Sequence, residues 1–195
     1  RVRSDQPARV TGRLTTDSGD GIGAAKVCAL TQVTLAGEPY RVADTAKTHS
    51  DGSYTLRLPP GASRKVFIDR PFGDQVLMRA GLETQASVRP SFTVTPTGKD
   101  EIKDGDRLRF RGHLPGPGCD GRIVKVQAKI GKRRWQVFRG VRTNENCVYT
   151  TRYKLRATSS STRYQFRVRV PEQGDYPFLG GSSTVRARTA GPARD

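Results

Sequence analysis

The feature that most constrains this chain is a short alternating segment with turn residues at both ends, residues 48–61. Asp51-Gly52 is a favoured tip for a two-residue turn, because Gly52 adopts a positive φ without steric cost. Beyond the turn, Tyr54, Leu56 and Leu58 alternate with polar residues and therefore share one face of a strand. A Pro-Pro-Gly sequence then ends the strand. The segment predicts a half-buried antiparallel hairpin and indicates an all-β protein.

Segments of the same kind recur along the whole chain, and no helical period of useful length interrupts them. Strands are predicted at 9–15, 25–35, 40–48, 53–58, 64–69, 75–88, from Phe92, and at 107–111, 122–130, 133–141, 147–156, 163–170 and 184–189. We interpret the chain as two tandem antiparallel β-sandwiches, residues 1–89 and residues 90–195. Pro90 favours an extended junction. A link this short is expected to restrict the mutual orientation of the domains, as in a stalk.

Length and hydropathy agree with two thin sandwiches. The chain has 195 residues, 34% of them hydrophobic, and a mean hydropathy of −0.64. No run of about 18 apolar residues is present, so no transmembrane segment is predicted. The sequence opens at Arg1 without an initiator Met or an apolar leader. We therefore expect a processed or excised piece of a longer precursor.

The charge is strongly positive and unevenly distributed. Lys and Arg number 35 against 18 Asp and Glu, which gives a net charge of +17. Residues 1–90 hold 13 basic and 9 acidic residues, whereas residues 91–195 hold 22 and 9. The second half therefore carries most of the basic field. Of the basic residues 26 are Arg, which fits either a GC-rich genome or recognition of phosphate and carboxylate groups.

Three cysteines allow one intramolecular disulfide and one further thiol. Cys119 and Cys147 lie at the edges of predicted strands in the second half, so we expect them to pair. Such a bond suits an oxidising, extracellular compartment, although three reduced thiols in a cytosolic protein remain the alternative. Cys28 is expected to be a buried or interface thiol rather than part of an interchain disulfide.

The first half resembles a known family. The sequences VTGRL at 10–14, GDGIGAAKV at 19–27, SDGSYTL at 50–56 and LPPG at 58–61 are similar to those of carboxypeptidase regulatory-like domains. These domains are similar in turn to transthyretin and to collagen-adhesin B-type repeats. The resemblance covers residues 8–88 and implies a sandwich of about seven strands that serves as a non-catalytic appendage of secreted proteins. An Asn-based isopeptide bond is excluded within the first domain, because the first Asn is Asn144.

The second half resembles the immunoglobulin-like β domains that are appended to secreted actinobacterial surface proteins. The resemblance rests on FRG at 110–112, VQA at 126–128, Trp135 and YQFR at 164–167. It implies a sandwich of about seven strands and brings no catalytic residues. The spacing of Cys119 and Cys147 is too short for the inter-sheet disulfide of antibody domains.

The arginines of the second half define a possible anion-binding surface. They alternate along three predicted strands and are Arg107, Arg109, Arg111, Arg163, Arg167, Arg169, Arg186 and Arg188. If those strands are neighbours, the guanidinium groups form one basic sheet face that binds polyanions in a salt-sensitive way. The alternative is that these arginines are ordinary solvated outer positions that also resist edge pairing.

Residues suited to catalysis or metal binding are scarce. The only histidines, His49 and His113, fall in different predicted domains, and no hydrolase, zinc or phosphate-loop motif is present. The turn at 17–23 has the acid spacing of a calcium loop but lacks its alternating oxygen ligands and distal Glu. We therefore predict no enzymatic activity, no cofactor and no metal site.

These observations favour a secreted or cell-surface structural or adhesive module, acting as a rigid spacer or an assembly subunit. Two alternatives are a binding module for anionic polymers, such as teichoic acid, acidic glycan or nucleic acid, and an accessory part of a secreted enzyme. A protein partner or self-assembly is also compatible with the sequence. Sequence-specific nucleic-acid binding is not expected, because Trp135, Tyr153 and Tyr164 are predicted to be core aromatics rather than stacking platforms.

Overall fold

The computed structural model describes residues 1–72, 75–96, 106–154 and 163–188, and these ranges form an all-β protein without helices. The chain divides into two compact units, Arg1–Ser87 and Val88–Asp195. No helix in the described ranges has the length and apolar character needed to cross a membrane. The sequence also predicts a turn at Asp104-Gly105, and this prediction lies outside the described residues.

The first unit is an antiparallel sandwich of two main sheets. Its strands are β1 (Val2–Arg3), β2 (Ala8–Arg13), β3 (Lys26–Val33), β4 (Arg41–Lys47), β5 (Ser53–Leu58), β6 (Arg64–Phe72), β7 (Gln75–Thr84) and β8 (Ala86–Ser87). One sheet has the order β4-β3-β6-β7, and β2 pairs with β5 in the other. The short strands β1 and β8 pair in parallel.

The core of this sandwich follows from the predicted alternation. On β5 the residues Tyr54, Leu56 and Leu58 are buried, while the residues between them face outwards. They pack against buried side chains of the four-stranded sheet, including Val27 and Ile68, in one apolar cluster. The apolar face of each sheet covers the apolar face of the other, so no further element is needed to bury these faces.

A turn forms here, but its central residues are Ser50 and Asp51 rather than Asp51 and Gly52, and the hairpin around it was also predicted wrongly. Gly52 has a φ of 84° and donates its N–H to the carbonyl of His49 at 2.9 Å. The flanking strands, however, belong to different sheets, because β4 pairs with β3 and β5 pairs with β2. The turn therefore carries the chain from one sheet to the other. This crossing is what allows the apolar face of β5 to pack on the four-stranded sheet.

A carboxylate bridges the two sheets beside this crossing. Asp44 on β4 accepts hydrogen bonds from the backbone N–H groups of Arg57 at 2.6 Å and Thr45 at 2.9 Å. These donors lower the pKa of the Asp44 carboxyl below its usual value. Arg57 lies on β5, whose only ladder in the described sheets is with β2. Asp44 thus satisfies an edge N–H of β5 that the ladder with β2 does not use.

Replacing Asp44 by alanine is expected to destabilise the first unit at pH 7 but not in acid. A lowered folded-state pKa stabilises the protein above the unfolded value of about 3.9, and this contribution disappears as the pH falls through the lower folded value. Urea unfolding of wild type and D44A at a series of pH values should give stabilities that begin to converge at about pH 4 and coincide only below the folded pKa of Asp44. D17A is the control, since Asp17 accepts no hydrogen bond from a described residue. A difference that persisted undiminished in acid would contradict this account.

The second unit is also an antiparallel sandwich, with seven strands among its described residues. They are β9 (Ser91–Pro96), β10 (Arg107–His113), β11 (Ile123–Ile130), β12 (Gln136–Arg142), β13 (Val148–Lys154), β14 (Arg163–Val170) and β15 (Gly181–Arg188). The sheets have the orders β13-β10-β9 and β12-β11-β14-β15. Seven antiparallel strands in two sheets, with connections that cross between the sheets, are the immunoglobulin-like arrangement predicted from the sequence.

Aromatic side chains join the two sheets of this unit. Phe110 on β10 contacts Phe166 on β14 edge to face, with ring centroids 5.1 Å apart. Phe138 on β12 lies 5.4 Å from Phe110 and 4.4 Å from Tyr153 on β13. Contacts of this geometry add to the energy of area burial. Tyr153 therefore belongs to the interior, as predicted, and Tyr164 is 5% exposed.

The predicted disulfide is present. Cys119 and Cys147 are bonded, with their Cα atoms 5.3 Å apart. Cys119 lies between β10 and β11, and Cys147 directly precedes β13, so the bond joins two connections that cross between the sheets. The buried Thr143 supports this region by donating its hydroxyl to the carbonyl of Cys119 at 2.5 Å. Cys28 is a half-buried free thiol on β3.

Candidate anion-binding surfaces

The eight predicted arginines do not share one sheet face. A single basic face required the three strands to be neighbours, and this condition is not met for β10, which pairs with β9 and β13. Arg107, Arg109 and Arg111 therefore lie on the three-stranded sheet. The connection after β10 crosses to the other sheet, which contains β14 and β15. The other five lie on neighbouring strands of the four-stranded sheet, where Arg163, Arg167, Arg169, Arg186 and Arg188 occupy β14 and β15. The structure therefore shows two separate basic surfaces.

Arg163, Arg186 and Arg188 are placed only by register. Arg163 is opposite Arg188, and Arg186 is opposite Gln165. Their side chains lie outside the described part of the structure.

The first surface is the outer face of the three-stranded sheet. Five basic side chains on β10 and β13 are exposed there, and we call them the three-stranded basic face: Arg107, Arg109, Arg111, Arg152 and Lys154. Arg109 is directly opposite Arg152, and Arg107 is directly opposite Lys154. Like charges in directly opposed positions destabilise a sheet. Arg109 has Arg152 opposite it on β13 and Thr95 opposite it on β9, so no acidic residue faces it directly within the described sheet.

Hydroxyl side chains border the three-stranded basic face along β9. Thr95 is opposite Arg109, Thr93 is opposite Arg111, and Ser91 is opposite His113. An open groove of about 310 Å³ lies at this end of the sheet and is lined by Arg111, His113 and Thr93 among others. The surface thus combines several cations with neutral hydrogen-bonding groups.

The second surface is the outer face of the four-stranded sheet, where Arg167 contacts both Gln127 and Trp135. The Arg167 Nε donates to Oε1 of the buried Gln127 at 2.8 Å. The guanidinium carbon of Arg167 lies 4.3 Å from the centroid of the Trp135 ring, and the Lys129 ammonium lies 5.9 Å from it. Partial burial, and secondarily the charge of Arg169, lower the pKa of Arg167. Arg remains charged in proteins.

Trp135 was predicted to be a core aromatic, and this is wrong. It precedes β12, is only half-buried, and stacks with cations on the outer side of the sheet. Sequence reasoning also missed Arg152 and Lys154, although both alternate with the buried Thr151 and half-buried Tyr153 on β13. That alternation was enough to predict that the side chains of Arg152 and Lys154 are exposed. Their position beside Arg107 and Arg109 depends on strand pairing, which alternation does not reveal.

The described residues contain no group of three His, Cys, Asp or Glu side chains placed to hold a metal ion. In the turn with calcium-like spacing, the Asp20 carboxylate accepts a hydrogen bond from the hydroxyl of Ser18 at 2.7 Å. Local hydrogen bonds of this kind account for a turn of Asp and Ser residues.

Comparison with known proteins yields no family. No family model and no curated protein matches the chain. Among solved structures, a marsupial T cell receptor is similar over 99% of this chain and 71% of its own length, at 10% identity and a TM-score of 0.35. A likeness at that score carries no argument about function. The resemblance of residues 8–88 to carboxypeptidase regulatory-like domains stays a prediction.

Proposed function

We propose that this chain is an extracellular, non-enzymatic module that binds an anionic polymer through the three-stranded basic face. The observation that carries the proposal is the directly opposed pair of like charges formed by Arg109 and Arg152. Folding alone is better served by opposite charges or by threonines, such as those at the outward positions of β9. A surface that is unfavourable for folding is a candidate for selection by binding.

Protection of a sheet edge does not explain the three arginines on β10. Charged side chains on edge strands discourage pairing with other chains. β10, however, is the central strand of its sheet, with β9 on one side and β13 on the other. Arg107, Arg109 and Arg111 therefore lie on the strand that least needs such protection.

The geometry suits a polymer with repeated charges. Successive outward residues on a strand are about 6.6 Å apart, and neighbouring strands are about 4.8 Å apart. The three-stranded basic face is therefore a grid of cations rather than a single pocket. Teichoic acid, acidic glycans and nucleic acid all present charges at comparable intervals, and binding to such polymers is governed by salt rather than by sequence.

The disulfide favours the extracellular part of the proposal. Disulfides persist in oxidising compartments and are rare in the cytosol. The Cys119–Cys147 bond lies in the same unit as the three-stranded basic face. Conditions that keep this unit oxidised are those in which cell-wall and matrix polymers occur.

Replacing Arg109 and Arg152 together by glutamine is expected to weaken polymer binding and reduce its salt dependence. If each of the five cations meets one charge, the slope of log affinity against log salt is about −4.5, and the double variant should approach about −2.7. Binding to poly(glycerol phosphate), polygalacturonate, DNA and a neutral glycan would be measured by calorimetry from about 50 to 500 mM salt. Unfolding measurements should show the variant to be no less stable than wild type, since a like-charge pair is removed.

The chain contains a matched control for this experiment. Arg9 and Arg57 are an exposed, directly opposed pair in the two-stranded sheet of the first unit. R9Q/R57Q changes the net charge by the same amount but leaves the three-stranded basic face intact. Equal loss of binding in both double variants would mean that overall charge alone is responsible, and the proposal would fail.

A spacer function is the second candidate, and the short junction favours it. Only residues 88–90 separate β8 from β9, and one of them is Pro90. Such a junction has few freely rotating bonds. If the chain is a spacer, NMR relaxation should give both units one common tumbling time. Independent tumbling of the two units would count against it.

A further inference from the structure

We propose that the outer face of the four-stranded sheet carries a separate site, centred on Arg167, for a single oxyanion group. The group is a carboxylate or a phosphate carried by a sugar-sized molecule. The site does not depend on the three-stranded basic face, which lies on the other sheet of the same sandwich. Either surface can therefore bind or fail to bind without the other.

The orientation of Arg167 is fixed by two contacts before any ligand arrives. Its Nε donates to Gln127 Oε1 at 2.8 Å, and Gln127 is only 6% exposed. Its guanidinium group also stacks on Trp135, with 4.3 Å between the guanidinium carbon and the ring centroid. A guanidinium group held in one orientation loses less entropy when it binds a ligand.

These contacts leave the ligand-binding end of Arg167 available. Gln127 occupies Nε, and the two terminal nitrogens make no hydrogen bond or ion pair within the described residues. Two parallel N–H groups from one guanidinium match the two oxygens of a carboxylate or phosphate. An oxyanion would therefore bind the two terminal nitrogens of Arg167 end-on, in the plane of the guanidinium group.

Neighbouring groups extend the site along β14. Arg167 and Arg169 line an open groove of about 310 Å³ together with Ser182. Ser182 is opposite Arg169 across β14 and β15, and Lys125 is opposite Arg169 across β11 and β14. The opposed Lys125 and Arg169 are again like charges in direct register, which destabilises the unliganded sheet. A bound anion would offset this repulsion.

The groove volume and one acidic residue limit the ligand. A space of about 310 Å³ is at the small end of ligand sites, which suits one sugar-sized residue rather than a long polymer segment. Glu172, an exposed residue, also lines the groove. Its charge opposes an anion and should lower the affinity for one.

Trp135 provides the test, because it is the only tryptophan in the chain and contacts Arg167 directly. Galacturonic acid, glycerol 3-phosphate and glucose would be titrated into the full chain while the emission of Trp135 is recorded. We expect a saturable change with one or both anions, at dissociation constants of about a millimolar. Glucose should give none. The two anions distinguish a carboxylate ligand from a phosphate ligand.

Two variants make the test specific to the proposed geometry. Q127E keeps the acceptor for Nε and the shape of the side chain but places a negative charge beside Arg167, and it should weaken binding about tenfold or more. E172Q removes the opposing charge and should strengthen binding a few-fold. A merely structural role for Gln127 and Glu172 would not produce these opposite changes.

The inference fails if neither anion changes the Trp135 emission, if glucose changes it equally, or if Q127E binds as wild type does. R109Q/R152Q should leave this titration unchanged, because it alters only the other sheet. Polymer binding that depends on Arg109 and Arg152, without any response of Trp135, would support the proposed function while overturning this inference. A response of Trp135 without polymer binding would do the reverse.

Discussion

Breaking the Cys119–Cys147 disulfide is expected to lower the unfolding free energy of the second unit by about 3 to 4 kcal/mol. The cysteines are 28 residues apart in sequence, and the estimate follows from the conformational freedom that the unfolded chain regains when this loop opens. The bond joins the connection before β11 to the connection before β13. The two connections also hold each other through Thr143, so the loss should fall on a region that is otherwise well ordered.

Urea unfolding of wild type, with and without reductant, and of C119A/C147A would measure this loss. The emission of Trp135 reports on the second unit, because that residue lies within it. C28A is the matched control, since Cys28 is a half-buried free thiol in the first unit. A transition that reductant leaves unchanged would show that the disulfide contributes little, and would remove the main support for an extracellular location.

The sequence predicted the faces of strands well, because burial alternates with a period of two. On β5 and β14 every second residue is buried, and Leu108 and Phe110 are buried on β10, as the alternation of Leu, Val, Phe and Tyr indicated. This pattern depends only on the chain geometry of a strand. It therefore holds whichever strand lies alongside.

Strand partners were harder to predict, and the turn that ends at Gly52 shows why. The residues of a turn specify local backbone angles, and Gly52 indeed has a positive φ. They do not specify whether the flanking strands pair with each other. In this unit β4 and β5 separate so that the apolar side of β5 covers the four-stranded sheet, and burial of that face decides the outcome.

The same limit affected the prediction of the anion-binding residues. Each predicted arginine with a described side chain is at an outward position, yet the set is divided between two sheets. Strand order in a sandwich depends on long-range connections that the local sequence does not encode. The prediction for Trp135 was wrong for a different reason. A large aromatic side chain usually lies in the core, but stacking on Arg167 and Lys129 stabilises Trp135 at the surface.

Replacing Gly112 by alanine is expected to destabilise the second unit by about 3 kcal/mol, whereas replacing Gly12 should destabilise the first by less than about 1 kcal/mol. Both glycines are opposite a tyrosine across an antiparallel pair, Gly112 opposite Tyr149 and Gly12 opposite Tyr54. The atoms nearest to a Cβ on Gly12 belong to the ring and hydroxyl of Tyr54. A Cβ on Gly112 would meet the hydroxyl of Tyr149 and the backbone carbonyl of Ser91.

The difference between the two sites lies in what can move. The Tyr54 hydroxyl makes no hydrogen bond to a described residue, so its ring can tilt away from an alanine. Tyr149 is 1% exposed and donates its hydroxyl to Ser91 at 2.8 Å, and Ser91 begins the strand that pairs with β10. Relief there would require β9 to shift, which breaks ladder hydrogen bonds.

Urea unfolding of G12A and G112A would compare the two sites, and Y149F/G112A would identify the limiting contact. Removing the Tyr149 hydroxyl relieves one clash but leaves the Ser91 carbonyl in place. If the backbone carbonyl limits the site, the double variant should stay at least as unstable as G112A. Recovery of stability in the double variant would show that the Tyr149 hydroxyl limits the second unit, and equal losses in G12A and G112A would show that the facing tyrosine is the obstacle in both units.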